Sequence, residues 1–309
     1  MIRNLIIPIV IALLTVPMGL SSNAFAQRGK MTQKLFDHFQ VNKPASLRNA
    51  YAAAVLAKFV YTPTAKKAGA GKFKTRMARI GLKSCDRKPM AEGKYDTQGA
   101  LLYNDKAVFL AFRGTASKTD AMTDVKLLIA RAGKTWNNMI VHSGFFKAYS
   151  SFKQVTKLPS RVKKCMSRDG GARKLVVVGH SLGGALANIA AYDMLVSDQI
   201  KASSIYTYGG PRVGGKAWVS AFTQKFGKRS QQWVHGADPV ARIPFGFFKS
   251  LKNGKLTFLT PRERYQPLPR RGLSSGSKIG KVISILNPLD GKGLLADHFV
   301  KEGYATKLW

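Results

Sequence analysis

Apolar residues recur along this chain with three different rhythms. Leu47, Tyr51, Val55 and Phe59 fall every four residues behind Ser46. That spacing predicts an α-helix with one apolar face and a serine at its amino-terminal cap. Ala100 to Tyr103 and Ala107 to Phe112 are apolar runs separated by Asn104-Asp105, which reads as strand, tight turn and strand. Leu175 to Val178 is short, wholly apolar and rich in valine, the pattern of a parallel strand covered on both faces. Helical patterning returns at about 145–165, 185–196 and 214–226, with further strands at 205–208 and 232–235. Strands alternating with helices predict an α/β fold, a mostly parallel central sheet with helices on both faces. Residues 28–45 are basic and weakly patterned. No linker divides the chain before residue 240, so one domain is expected.

The amino terminus has a pattern of its own. Arg3 precedes an apolar run from Leu5 to Leu20, followed by Ser21-Ser22-Asn23 and Ala24-Phe25-Ala26. A charged start, a short apolar stretch and an A-x-A site predict a secretory signal peptide over residues 1–26. Pro8 and Pro17 interrupt the run, and it is short for a membrane span. The expected location is therefore secreted or periplasmic, with residues 27–309 as the domain. An oxidising destination permits a bond between Cys85 and Cys165, although two free thiols satisfy the sequence equally well. Two cysteines exclude a disulfide-stapled miniprotein and a Cys-only zinc site.

Charge changes the picture further. There are 51 Lys+Arg against 15 Asp+Glu, a net charge of +36. Part of the excess lies in an excursion at about 241–296, where eleven Lys or Arg face only Glu263 and Asp290. Such a balance draws anionic lipid, nucleic acid or acidic polymer to a surface. No finger spacing, RNP-like stretch or helix-turn-helix is present, and a secretory signal argues against a nucleic-acid partner. An anionic membrane or envelope surface is the expected partner. The alternative is solvated charge that only aids solubility.

Candidate chemistry sits directly after the apolar strand, at Gly179-His180-Ser181-Leu182-Gly183. A serine hydroxyl is a poor nucleophile unless a base takes its proton and the oxygen stands clear of its surroundings. A sharp strand-to-helix turn exposes it, and glycines two before and two after leave room for the crowded backbone. The helix that follows directs free N–H groups toward any oxyanion formed there. The same pattern occurs at Gly272-Leu273-Ser274-Ser275-Gly276, behind Arg270-Arg271 and without an apolar strand, where it reads as a loop. Ser181 is therefore the expected nucleophile.

The order serine, acid, histidine along the chain then narrows the partners. His38 lies before the serine, and His180 adjoins it with a diverging side chain. His235 ends a predicted strand and would require an acid from Asp193 or Asp198, on the helix leading away. His298 follows every predicted strand and is favoured as base. Among Asp193, Asp198, Asp238, Glu263, Asp290 and Asp297, Asp238 lies just past a strand, where α/β folds collect active-site residues. It is favoured as the acid that orients the imidazole; its other reading is a turn residue before Pro239. The oxyanion requires two donors. The expected ones are the N–H of Leu182 and an N–H from Phe112-Arg113-Gly114-Thr115, with Thr115 preferred.

Five motifs in order carry a family resemblance: Phe112-Arg113-Gly114-Thr115, His142-Ser143-Gly144-Phe145, Gly179 to Ala185, Tyr208-Gly209-Gly210-Pro211-Arg212-Val213-Gly214, and Asp238 to Pro244. Together they resemble the class 3 lipases, the fungal-lipase-like branch of the α/β hydrolases, over about residues 45–245 plus Asp297-His298. The resemblance implies an α/β-hydrolase fold, with Ser181, Asp238 and His298 as triad and Thr115 at the oxyanion position. It also implies a helical lid at about 117–132, with Met122, Val125, Leu128 and Ile129 on its apolar face. The implied activity is a carboxylic-ester hydrolase acting on lipid esters, a lipase or phospholipase that needs no metal or organic cofactor. Two alternatives remain in view: an esterase for small or feruloyl-type esters, and an anion-binding protein on a catalytically idle scaffold. The sequence sets no oligomeric state.

Overall fold

Alternate residues of the central strands face opposite ways, and both faces are buried. The computed structural model describes residues 34–61, 67–114, 129–131, 136–234, 238, 240–242, 248–252, 255–258 and 265–272. The expected signal peptide, most of the lid and the segment from 273 onward lie outside these residues. A short 3-10 turn, Leu35–His38, leads into α1 (Leu47–Phe59) and α2 (Lys67–Arg79). The strands β1 (Lys83–Ser84), β2 (Met90–Glu92), β3 (Thr97–Tyr103), β4 (Ala107–Phe112), β5 (Ile129–Arg131) and β6 (Ile140–His142) follow. Then come α3 (Ser143–Thr156), α4 (Leu158–Met166), β7 (Lys174–His180), α5 (Leu182–Asp198), β8 (Ala202–Tyr208), β9 (Gly214–Gly215), α6 (Lys216–Phe226) and β10 (Ser230–Val234). The last described elements are β11 (Phe248–Lys252), β12 (Lys255–Phe258), β13 (Tyr265–Gln266) and β14 (Arg270–Gly272).

The main sheet runs β1-β3-β4-β7-β8-β10-β14, with β2 also paired to β3. From β4 to β14 every neighbour is parallel, and β1, β2 and β3 form the antiparallel end. Val108, Leu110 and Phe112 of β4, with Leu175 and Val177 of β7, face the layer of α3, α4, α5 and α6. Ala107, Phe109 and Ala111, with Val176 and Val178, face α1, α2 and the amino-terminal turn. The period-2 alternation of a strand thus divides one apolar run between two cores. Asn104 closes the β3–β4 hairpin as expected, its side-chain oxygen accepting from the N–H groups of Lys106 and Ala107 at 3.0 and 2.9 Å.

Several expectations need correction. Ser46 does cap α1, with its Oγ accepting from Asn49 N–H at 3.5 Å, but the four-residue stripe is only part of the buried face: Val55 is buried and Tyr51 and Phe59 pack at its margin. Leu47 is 60% exposed, whereas Ala50, Ala52, Ala53, Ala54, Val55, Leu56 and Ala57 are buried. Small side chains let this helix lie close against β7 and β8. The basic stretch 28–45 contributes core: Phe36 and Phe39 are buried, with their rings 4.8 and 5.1 Å from that of Phe109 in edge-to-face contact. The helical run at 145–165 is two helices, broken at Lys157 in the left-handed conformation (φ 51°), with Pro159 in the first turn of the second.

Two more corrections concern the resemblance and the basic excursion. The lid cannot extend through Ile129–Arg131, because those residues form β5, antiparallel to β6. The excursion is woven into the fold at 265–272: β13 pairs with β9, and β14 extends the main sheet beside β10. Cys85 and Cys165 form a disulfide, Cα atoms 5.8 Å apart, which ties the antiparallel end of the sheet to α4.

Candidate active site

At the carboxyl end of β7 the chain turns through Ser181 into α5. Ser181 has φ 57° and ψ −132°, a left-handed backbone that costs a residue with a Cβ about 1–3 kcal/mol and collects at functional sites. Its surroundings enforce the turn. Ser181 N–H donates to the Tyr208 carbonyl at 2.9 Å, and the Ser181 carbonyl accepts from Gly184 N–H at 2.8 Å. The glycines are required by close backbone approach. A Cβ on Gly179 would collide with the Gly183 carbonyl, and one on Gly183 would lie 2.5 Å from the Phe112 carbonyl oxygen. A Cβ on Gly184 would come within 3.0 Å of Gly210 Cα. The end of β4, the elbow and the loop after β8 therefore meet backbone to backbone.

Gly114, the residue before Thr115, is wedged against the same turn. A Cβ there would lie 3.0 Å from Ser181 Cβ and 2.6 Å from the His180 carbonyl oxygen, and would overlap the Tyr61 hydroxyl. The segment expected to supply the second oxyanion donor is thus brought to the serine by β4. Leu182 opens α5, where an α-helix leaves its first N–H groups without intrahelical partners.

Asp238 is fully buried, and its Oδ1 accepts from Val240 N–H at 2.9 Å. It is thus a turn residue, as its second reading has it, and its carboxyl group is buried. It follows β10, which is parallel to β8 and so to β7, with Tyr208 in register with both His180 and Trp233. Ser181 and Asp238 therefore leave the same carboxyl edge of the sheet, one strand apart across β8. Thr115, His235, Asp297 and His298 lie outside the described residues.

The rejected acids are engaged elsewhere. The Lys153 ammonium lies 2.6 Å from both Asp193 and Asp198. Asp193 also accepts from the Tyr149 hydroxyl at 2.7 Å, the Ser197 hydroxyl at 2.8 Å and Trp136 Nε1 at 3.3 Å. Burial pulls the Lys153 pKa down, but its hydrogen bonds to Asp193 and Asp198 outweigh that and raise it. This is a structural ion cluster between α3 and α5. His180, expected to diverge from the Ser181 oxygen, has its Nδ1 2.9 Å from the Tyr61 hydroxyl. Sequence reasoning missed Tyr61 altogether. The two residues are 119 positions apart, and no local pattern marks the tyrosine. Burial pushes the Tyr61 pKa up, against the opposing Gly114 N–H and Arg113 charge, so the hydroxyl keeps its proton.

With this geometry in view, the chain can be set beside known proteins. Residues 109–248 match the family model "Lipase (class 3)". A lipase from Rhizopus niveus is 36% identical over 160 residues, covering 49% of this chain and 40% of the relative. A secreted mono- and diacylglycerol lipase from Fusarium solani is 38% identical over 113 residues, covering 35% of this chain and 31% of the relative. The chain thus spans about two fifths of the first of these relatives and less of the second. Among solved structures, lipase II from Rhizopus niveus superposes with a TM-score of 0.55 at 24% identity, covering 84% of this chain and 94% of that one. A triacylglycerol lipase whose catalytic centre is formed by a serine protease triad gives 0.53 at 20%, covering 93% and 98%. These likenesses show the α/β-hydrolase fold. Motifs, elbow and matched region agree: residues 109–248 are similar to the class 3 lipases.

Proposed function

We propose that the protein is a serine hydrolase of lipid carboxylic esters, working through Ser181, His298 and Asp238. The observation that carries this is the strained elbow: a serine at φ 57°, hemmed by glycines that admit no side chain, at the sheet edge that also presents buried Asp238. In this reading His298 takes the Ser181 proton as Oγ attacks the acyl carbonyl, and Asp238 holds the imidazole in the correct tautomer. The N–H groups of Leu182 and Thr115 receive the oxyanion, each worth about 3–4 kcal/mol of barrier. His298 then protonates the departing alcohol, and water, deprotonated by the same imidazole, releases the acyl-enzyme. No metal or organic cofactor enters the mechanism.

Lipid esters are the substrate class favoured by the relatives, which are described as lipases, mono- and diacylglycerol lipases and, for one from Oryza sativa, a phospholipase A1. The +36 charge favours an anionic lipid or envelope surface as the place of work, reached after secretion and removal of residues 1–26. Among the described residues no helix is long and apolar enough to cross a membrane. The test is hydrolysis of triacylglycerol emulsions and of phosphatidylglycerol vesicles side by side, with Ser181→Ala as control. Turnover of either substrate that vanishes in Ser181→Ala supports the reading. Turnover of short or feruloyl esters alone would move the protein to the esterase alternative. Vesicle binding without any hydrolysis would leave an idle scaffold. Binding to anionic vesicles should fall steeply with salt, and salt-independent binding would contradict the role given to charge.

A further inference from the structure

The tyrosine that follows α1 touches both chain segments on which the proposed chemistry depends. Its N–H donates to the Lys58 carbonyl at 3.2 Å, anchoring it to a helix whose alanine face is packed on the sheet. Its hydroxyl lies 2.9 Å from His180 Nδ1 and occupies the space that a Cβ on Gly114 would need. His180 is bonded to Ser181, and Gly114 is bonded to Thr115. We propose that Tyr61 is a positioning residue, whose hydroxyl clamps the Gly114 segment to the His180–Ser181 segment and sets the gap that receives the oxyanion. This rests on the hydrolase reading above.

Proton bookkeeping makes the clamp directional. Gly114 N–H faces the phenol oxygen and opposes the rise in its pKa. The phenol has one proton of its own, and burial keeps it in place. That proton is available for His180 Nδ1, 2.9 Å away, and in the proposed clamp the imidazole accepts it there and carries its own hydrogen on Nε2. The ring beside the nucleophile is then held in one orientation, with the two rings 5.8 Å apart and near edge-to-face. With Gly114 N–H turned to the phenol, the clamp assigns the oxyanion to the next N–H along the chain, that of Thr115, the donor proposed above. Tyr61 touches no reacting atom in this scheme; it acts through two backbone segments.

The experiment is steady-state kinetics on one soluble ester with the full chain carrying Tyr61→Phe, which keeps the ring and removes only the hydroxyl. The expected result is about a tenfold fall in kcat, the scale of one lost hydrogen bond expressed in a transition state, with KM within about twofold. The rate of Ser181 phosphylation by diethyl p-nitrophenyl phosphate should fall in parallel, because that reaction uses the same oxyanion donors. His180→Gln, which keeps an acceptor, should retain most of the activity, while His180→Leu should reproduce the loss. Tyr61→Phe combined with His180→Leu should fall no further than either alone. An unchanged kcat in Tyr61→Phe, a loss carried by KM alone, or additive losses in the double variant would each overturn the clamp. Ser181→Ala run alongside separates the two readings: if it is active the hydrolase reading fails and takes this one with it. If it is inactive while Tyr61→Phe is normal, only the clamp fails.

Discussion

The pattern Gly-x-Ser-x-Gly occurs twice, at 179–183 and at 272–276, and the two copies leave very different parts of one sheet. The first follows β7, a strand flanked in parallel by β4 and β8 and buried along nearly its whole length. The second begins at Gly272, the last residue of β14, an Arg-Arg-Gly strand that, among the described residues, pairs with β10 alone. Around the first copy, backbone atoms of β4, of the loop after β8 and of α5 approach each glycine closely enough to exclude a methyl group. Ser181 is consequently forced into a left-handed backbone. A five-residue pattern thus specifies a strained serine elbow through its neighbours: a central strand before it, a helix after it, and foreign backbone packed against it.

That contrast can be broken most sharply at the two serines. Ser181→Ala should lower ester hydrolysis by at least about 10⁴-fold, while Ser274→Ala should leave kcat/KM within about twofold. Equal losses would erase the distinction. Next in size is the covalent staple at the far end of the sheet. Replacing Cys85 and Cys165 by serine opens a link across a separation of 80 residues and should cost about 2–4 kcal/mol of unfolding free energy, read by urea denaturation, with kcat per folded molecule nearly unchanged.

Glycines sharpen the comparison at smaller scale. Gly183→Ala drives a methyl into the Phe112 carbonyl and should destabilise by about 1–3 kcal/mol with activity falling too. Gly71→Ala, within α2 with nothing inside 4 Å of the new methyl, should stabilise by about 0.5–1 kcal/mol. The smallest effect concerns pH. Burial pushes the Glu92 carboxyl up, but the N–H groups of Tyr95 and Lys94 and the Ser151 hydroxyl hold it below its ordinary value. A carboxylate depressed in the folded state contributes stability above its unfolded pKa and loses it as pH falls through the folded one. The Tm gap between the protein and Glu92→Gln should therefore be present at neutral pH and close in acid.

What was legible in the sequence follows the same division between centre and edge. Leu175 to Val178 announced a doubly covered strand because both faces need apolar residues, and the elbow followed from it. β14 gives no strand signal in the sequence, since a short strand at a sheet end tolerates Arg270 and Arg271 and shows no apolar run. The stripe on α1 captures Val55 but misses most of the buried face, because alanines, which carry little hydrophobic signal, form it. Phe36 and Phe39 stood in a basic stretch with no period, and only Phe109, some 70 positions on, explains their burial. Chain order and strand position lead to Asp238, the acid proposed for the triad, which is buried at the carboxyl edge of the sheet. Tyr61 was not legible, because its meaning depends on His180 and Gly114, both remote in sequence.

The central claim is that Ser181 alone among the serines is chemically activated. Treating the full-length protein with diethyl p-nitrophenyl phosphate and locating the adduct by peptide mass spectrometry tests it directly. The account predicts one diethylphosphoryl group, carried by Ser181 and appearing in step with the loss of ester hydrolysis. Modification at Ser274 or another residue in its place, or hydrolysis that persists after Ser181 is fully labelled, would contradict it.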